Sequence, residues 1–192
     1  APRFPAGLKP DWAVLGSLFR PPILDAEAAA GFARAAKAAG AKLLADTKLP
    51  KGTQPRLEDY RDTLALLDVI TPNEEEAVYY TGCSRPEQAA AVFHRFGVRT
   101  VIVKLAERGC FVSGPEGAFA CPAFSVPVAD GIGAGDCFTA GLLSALRRGF
   151  GLAEAVRFAA ACAAISVTER GATAALRDRA QVEAYLHSRC LN

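Results

Sequence analysis

Two kinds of hydrophobic run alternate along the chain. Short, dense runs occur at 11–17 (DWAVLGS), 42–46 (KLLAD), 68–72 (DVITP) and 100–106 (TVIVKLA). Turn-forming residues or charges bound each one, so each reads as a buried strand; the last, with its β-branched cluster, is the clearest. Longer stretches between them carry helical spacing. Asp25 can cap a helix over Ala26–Ala39, with Gly40 as its stop. Further helices are predicted over Leu57–Leu67, Glu74–Tyr80, Pro86–Phe96, Ala134–Arg148, Leu152–Val167 and Arg179–Ser188. The stretch GCFVSGPEGAFACPAF, from Gly109, reads as a hairpin turning at Gly114–Gly117. Strands separated by helices predict an α/β fold of three αβα layers, with a mostly parallel sheet covered on both faces. No repeat, low-complexity tract or interdomain linker interrupts the pattern, so residues 1–192 are expected to form a single domain.

Charge narrows the partners. Twenty-two basic and 20 acidic residues leave a formal net charge of +2, which gives no reason to expect nucleic acid or an acidic membrane surface. The most apolar stretch, Phe158–Val167, is too short to span a bilayer and is flanked by Arg157 and Glu169. Six cysteines, at 83, 110, 121, 137, 162 and 190, include no Cys-x-x-Cys pair. Cys110, Cys137 and Cys162 sit inside apolar runs, as buried reduced thiols do. A reducing cytoplasm is the expected location, and the first residues lack the apolar core of a signal peptide. The two histidines, His94 and His187, lie in polar helical surroundings far from any serine motif and are expected at the surface.

Candidate chemistry centres on VADGIGAGDCFTAGLL, where Gly131, Gly133 and Gly135 precede Asp136 and an amphipathic run. A dinucleotide loop needs glycine where Asp136 stands. A P-loop needs Lys-Ser/Thr after its glycines, and none follows. Glycines at a helix start let backbone N–H groups converge on an anion, and the helix dipole adds partial positive charge. A carboxylate there would repel phosphate unless it takes the proton of an attacking hydroxyl. Alternatively, Asp136 merely caps the helix; from the loop alone the two readings stand equal.

Two other segments bear on the choice. In TPNEEEA, Asn73 and Glu76 are three apart and share a face at a helix start after a strand, which suits a hydrated magnesium ion. Taken alone, the same spacing is better read as a capping box. VKLAERG, 103–109, leaves the strongest strand and ends in Gly109; it would make a wall for a nucleotide or an ordinary strand-to-hairpin turn.

Together NEEE, KLAERG, DGIGAGD and FAAACAAISVTERGA, in this order and spacing, resemble the ribokinase-type (PfkB-like) family of carbohydrate kinases, and the resemblance runs over essentially the whole chain. It implies an ATP-dependent transfer of the γ-phosphoryl group to a sugar hydroxyl, with a nucleoside kinase of the same fold or a catalytically impaired nucleotide-binding fragment as alternatives. By the same resemblance Asp136 is the catalytic base, and the N–H groups of Gly133, Ala134 and Gly135 form the anion hole. Asn73 and Glu76 organise magnesium through water. Asn73, Lys104, Leu105, Ala106, Glu107, Gly109, Gly135 and Ala160 border ATP. Asp130, Ile132, Ser166, Glu169 and Gly171 surround a monovalent cation such as potassium. Gly131 stands where the family usually has threonine, Lys104 likewise, and Ala106 replaces a glycine. The family's N-terminal half, with its small β lid and sugar-binding segments, has no counterpart here; with no methionine in the sequence, the expectation is the C-terminal part of a longer kinase. Asp46 is expected as a strand-end residue of structural role, with a place near the substrate as the alternative. Relatives often dimerise through the lid, so homodimer and monomer both stay open.

Overall fold

The computed structural model of the chain describes residues 7, 9–20, 25–52 and 54–189; Cys190 lies outside them. The chain divides into two compact units, residues up to 105 with 110–120, and residues 106–109 with 121 onward.

In the first unit, strands and helices alternate: β1 (Trp12–Leu18), α1 (Ala26–Ala38), β2 (Lys42–Thr47), the short α2 (Arg61–Leu64), β3 (Val69–Ile70), α3 (Glu74–Thr81), α4 (Pro86–Arg95), β4 (Thr100–Lys104) and β5 (Cys110–Gly114). With β6 (Gly117–Cys121) these strands form a six-stranded sheet in sequence order. β1 to β4 pair in parallel and β5 returns antiparallel to β4. This is the mostly parallel α/β arrangement that the hydrophobic pattern predicts. Asp25 caps α1 by accepting from the Ala28 N–H at 2.8 Å.

The core of this unit is built from Leu18, Phe19, Leu43, Leu64, Ile70, Phe93 and Val101, none of which is exposed. Phe19 follows β1 with φ 71°, a left-handed conformation that costs a non-glycine residue free energy. That conformation places its ring edge-on to Tyr60, 4.9 Å between centroids, and 4.3 Å from Tyr80.

Two expected elements differ. Leu57–Leu67 is not one helix but a 3-10 turn, Leu57–Tyr60, running into α2. The helical spacing was real, since Leu57, Tyr60, Leu64 and Leu67 are all buried. The hydrogen bonds nevertheless tighten at both ends: Asp59 N–H donates to the Arg56 carbonyl, and Leu66 and Leu67 donate three residues back. The strand expected over 68–72 shrinks to Val69–Ile70, because Pro72 has no N–H to continue a ladder.

His94 departs from its expected surface position. Its Nδ1 lies 2.8 Å from the Val98 carbonyl oxygen and its Nε2 2.8 Å from the Ser113 hydroxyl, so the half-buried ring ties α4 to β5. His187 is exposed.

The second unit holds α5 (Ala134–Arg147), α6 (Leu152–Ser166) and α7 (Arg179–Ser188). A Cβ added at Gly141 of α5 would stand 2.7 Å from the Cys162 sulfur and 3.1 Å from the Ala159 Cα on α6. The small residues of α6 therefore serve close helix packing. Burial, with Cys137 nearby, pushes the Cys162 thiol up to about 12. Among the described residues, no helix is long and apolar enough to cross a membrane.

Candidate functional site

The glycine loop of the second unit is shaped before it reaches the helix. Gly133 occupies the N-cap of α5 with φ 84° and ψ −6°, and offers no side chain to the helix end. The first intrahelical bond runs from Cys137 N–H to the Gly133 carbonyl at 2.8 Å. The N–H groups of Ala134, Gly135 and Asp136 therefore stand outside the helical ladder. Ala134 N–H has only a long 3.4 Å approach to the Gly131 carbonyl. Asp136 sits exposed in the first turn, three residues past the cap, so the capping position that the simpler reading gave it belongs to Gly133.

Gly133 is also a contact point. A Cβ built there would lie 2.5 Å from the Ala172 carbonyl oxygen and 2.8 Å from its Cα. Gly131, by contrast, has open space where a Cβ would go. A threonine, which the resemblance leads one to expect there, would fit, so the difference at 131 is one of a missing hydroxyl rather than of crowding.

Several bonds clasp the loop to the segment that follows α6. Asp130 Oδ1 accepts from Ile132 N–H at 3.0 Å, and Oδ2 accepts from Gly171 N–H at 3.1 Å. Ala129 and Asp130 N–H both donate to the Val167 carbonyl, at 2.8 and 3.3 Å. The two backbone donors, Ile132 first, hold the Asp130 carboxyl below the usual carboxylate range. The residues expected around a monovalent cation thus fall into one neighbourhood: Asp130, Ile132 and Gly171 share a carboxylate, and Ser166 precedes the Val167 acceptor. The Ser166 side chain is buried and donates to the Ala163 carbonyl at 2.8 Å, while Glu169 is exposed.

In the first unit, Asn73 and Glu76 form a reciprocal capping box at the start of α3. Asn73 Oδ1 accepts from Glu76 N–H at 2.8 Å, and Glu76 Oε2 accepts from Asn73 N–H at 2.9 Å. Glu76 is only 3% exposed, and the same Oε2 accepts from the Thr47 hydroxyl at 2.6 Å. The capping role and a fixed, buried carboxylate are therefore one arrangement. Beside it, Lys104 Nζ donates to Asp46 Oδ1 at 2.7 Å, and the Thr71 hydroxyl donates to the same oxygen at 3.2 Å. Sequence reasoning treated Lys104 and Asp46 separately. Fifty-eight residues part them, and the only hint was that both end strands.

In the first unit Leu105 is half-buried; in the second, Ala106–Arg108 forms a 3-10 turn with Glu107 exposed. Ala106 has φ 52°, so an L-residue holds the left-handed conformation at the position where the resemblance leads one to expect glycine. Ala106→Gly should raise unfolding stability by up to about 1 kcal/mol, read as a higher denaturation midpoint at unchanged slope; a lower midpoint would contradict the strain. Gly109, φ 89°, is needed outright: an added Cβ would meet the Cys121 carbonyl oxygen at 2.0 Å. Ala160 lies half-buried in α6. Among the described residues, no group of three or more His, Cys, Asp or Glu could hold a metal.

Comparison with known proteins places these features in a family. The family model for pfkB family carbohydrate kinases matches residues 11–179. The ribokinase of Haemophilus influenzae is 38% identical over 130 residues, covering 65% of this chain and 42% of that protein. Among solved structures, aminoimidazole riboside kinase from Salmonella enterica, complexed with aminoimidazole riboside and an ATP analog, aligns with a TM-score of 0.79 and 32% identity over 91% of this chain and 62% of that one. A fructokinase double mutant from Vibrio cholerae O395, in its fructose-, ADP- and potassium-bound form, aligns with a TM-score of 0.79 and 26% identity over 95% of this chain and 62% of that one. The chain spans about a third to a half of the length of the curated relatives it matches. Motif order, fold and similarity agree, and the chain belongs to the PfkB family of carbohydrate kinases.

Proposed function

We propose that this chain carries the phosphoryl-transfer machinery of an ATP-dependent kinase acting on a sugar hydroxyl. The observation that carries the reading is the start of α5. The N–H groups of Gly133, Ala134 and Gly135, the left-handed cap and the first two helical residues, have no intrahelical acceptor, and the Asp136 carboxylate lies in the same turn. Bound ATP supplies the γ-phosphoryl group. Asp136 accepts the proton of the attacking hydroxyl. The N–H groups of Gly133, Ala134 and Gly135 face the charge that develops during transfer, and the dipole of α5 adds to them.

The donor chemistry of the other candidates fits supporting roles. Glu76 Oε2 already takes two hydrogen bonds, so the carboxylate would meet magnesium through its other oxygen and through water, with Asn73 beside it. Both Asp130 oxygens accept backbone N–H groups, which leaves carbonyl oxygens near Asp130, Ile132, Ser166, Glu169 and Gly171 as the donors for a potassium ion. Leu105, Ala106, Glu107, Gly109 and Ala160 would border the nucleotide. A riboside is the second acceptor class, favoured by the likeness to aminoimidazole riboside kinase.

The test is a panel of monosaccharides and ribosides with ATP and magnesium, read as acceptor-dependent ADP release by the full-length protein. One acceptor class should stimulate release. ATP binding without stimulation by any acceptor would instead support a nucleotide-binding protein without turnover.

A further inference from the structure

The carboxyl ends of three adjacent parallel strands carry a buried polar cluster in the first unit. β2 ends in Asp46 and Thr47, β3 is followed by Thr71 and Asn73, and β4 ends in Lys104. Asp46, Thr47, Thr71 and Glu76 are each at most 5% exposed. A buried carboxylate needs a partner, and Asp46 has two, the Lys104 ammonium and the Thr71 hydroxyl. The Lys104 side chain is itself only 16% exposed. Its backbone is tied into the same place: Lys104 N–H donates to the Pro72 carbonyl at 2.8 Å, and Lys104 pairs with Asn73 as an isolated parallel bridge. The next residue after Asp46, Thr47, donates to Glu76. Besides its ladder pairing with Cys110 of β5, Lys104 is therefore tied by side chain and backbone to the segments that hold Asn73 and Glu76.

We propose that Lys104 is a positioning residue, the counter-ion of Asp46, and not a ligand of the nucleotide phosphates. The pair pins the end of β2 to the end of β4. The Thr47 hydroxyl and the Asn73 cap are thereby held where they fix the Glu76 carboxylate. An ammonium that spends its charge on a buried Asp46 has little left for phosphate. This role rests on the kinase reading only for its effect on catalysis; the pairing itself does not.

The experiment is a double-substitution cycle in the full-length protein. Lys104→Met leaves the buried Asp46 carboxylate without a counter-ion and with only the Thr71 hydroxyl as partner, and should lower the melting temperature by about 10 °C. Asp46→Asn combined with Lys104→Met leaves a neutral pair and should recover most of that loss. In the single variant the magnesium concentration for half-maximal turnover should rise about 10-fold, while the dissociation constant for ATP measured without magnesium stays near wild type. The double variant should bring the magnesium requirement back toward wild type. A phosphate ligand behaves differently: ATP binding would weaken in both variants alike, and that result overturns the proposal. Additive losses of stability in the cycle would also overturn it. If wild-type protein binds no ATP, the kinase reading fails, and the stability cycle still decides whether the two residues act as a pair.

Discussion

Asp136→Asn should lower turnover by about 10²–10⁴-fold while ATP affinity stays near wild type. The substitution is nearly isosteric, so the helix start keeps its shape, but the amide accepts no proton at neutral pH. Asp136 is exposed in the first turn of α5, and the Gly133 cap does not depend on it. The loss of stability should therefore be confined to the carboxylate's interaction with the helix dipole, about 0.3–1 kcal/mol. Steady-state kinetics with a thermal melt separates the two effects. Near-normal turnover in a folded variant would remove Asp136 as the base.

Gly133→Ala should be the most damaging single methyl group in the second unit's loop. Two costs combine: an L-residue at φ 84°, and a Cβ driven against the Ala172 backbone. A backbone carbonyl cannot swing aside as a long side chain can, so the expected destabilisation is about 2–4 kcal/mol. Relief would come from moving the loop, which re-aims the N–H groups proposed as the anion hole and should cost a further ~10²–10³ in turnover. Gly131→Ala is the matched control, since open space surrounds that position and its φ is not positive. It should melt close to wild type. Equal stability of the two variants would refute the crowding argument.

Local chemistry made most of the fold legible. β1, β2 and β4 announced themselves as dense apolar runs, and Asp25 and Gly40 bracketed α1 to within a residue. The failures have local causes too: Pro72 ended a ladder, and hydrogen bonds tightened around Leu57–Leu67 without disturbing the spacing of its buried side chains. The site was legible in a different way. Asn73 and Glu76 carry a capping signature in their spacing, and the structure shows that signature made. Spacing could not reveal that Thr47 shares the Glu76 oxygen, because that bond joins residues 29 apart. Nor could it reveal that Lys104 is committed to Asp46, or that both ring nitrogens of His94 are engaged. The Thr47–Glu76 and Lys104–Asp46 bonds arise from strand order, which brings the ends of β2, β3 and β4 together only after folding, and the His94 bond to Ser113 from the packing of α4 beside β5. At Ala106 the residue type gives no sign of the backbone: an alanine holds the left-handed conformation that glycine takes at less cost.

The clasp made by Asp130 bears on transplanting this chemistry into another scaffold. Residues 130–136 are short enough to graft as a peptide, but their shape is borrowed from Val167, Gly171 and Ala172. A chimera receiving only the glycine stretch would inherit its letters without its geometry. The smallest portable part is the helical hairpin of α5 and α6 with both flanking segments, and its length is fixed by a ruler. Adding or deleting a helical turn in one arm alone would slide 167–172 past the loop. Recombination that swaps this hairpin as a block should conserve the shape, and crossovers between its arms should lose it unless both parents keep the same arm lengths.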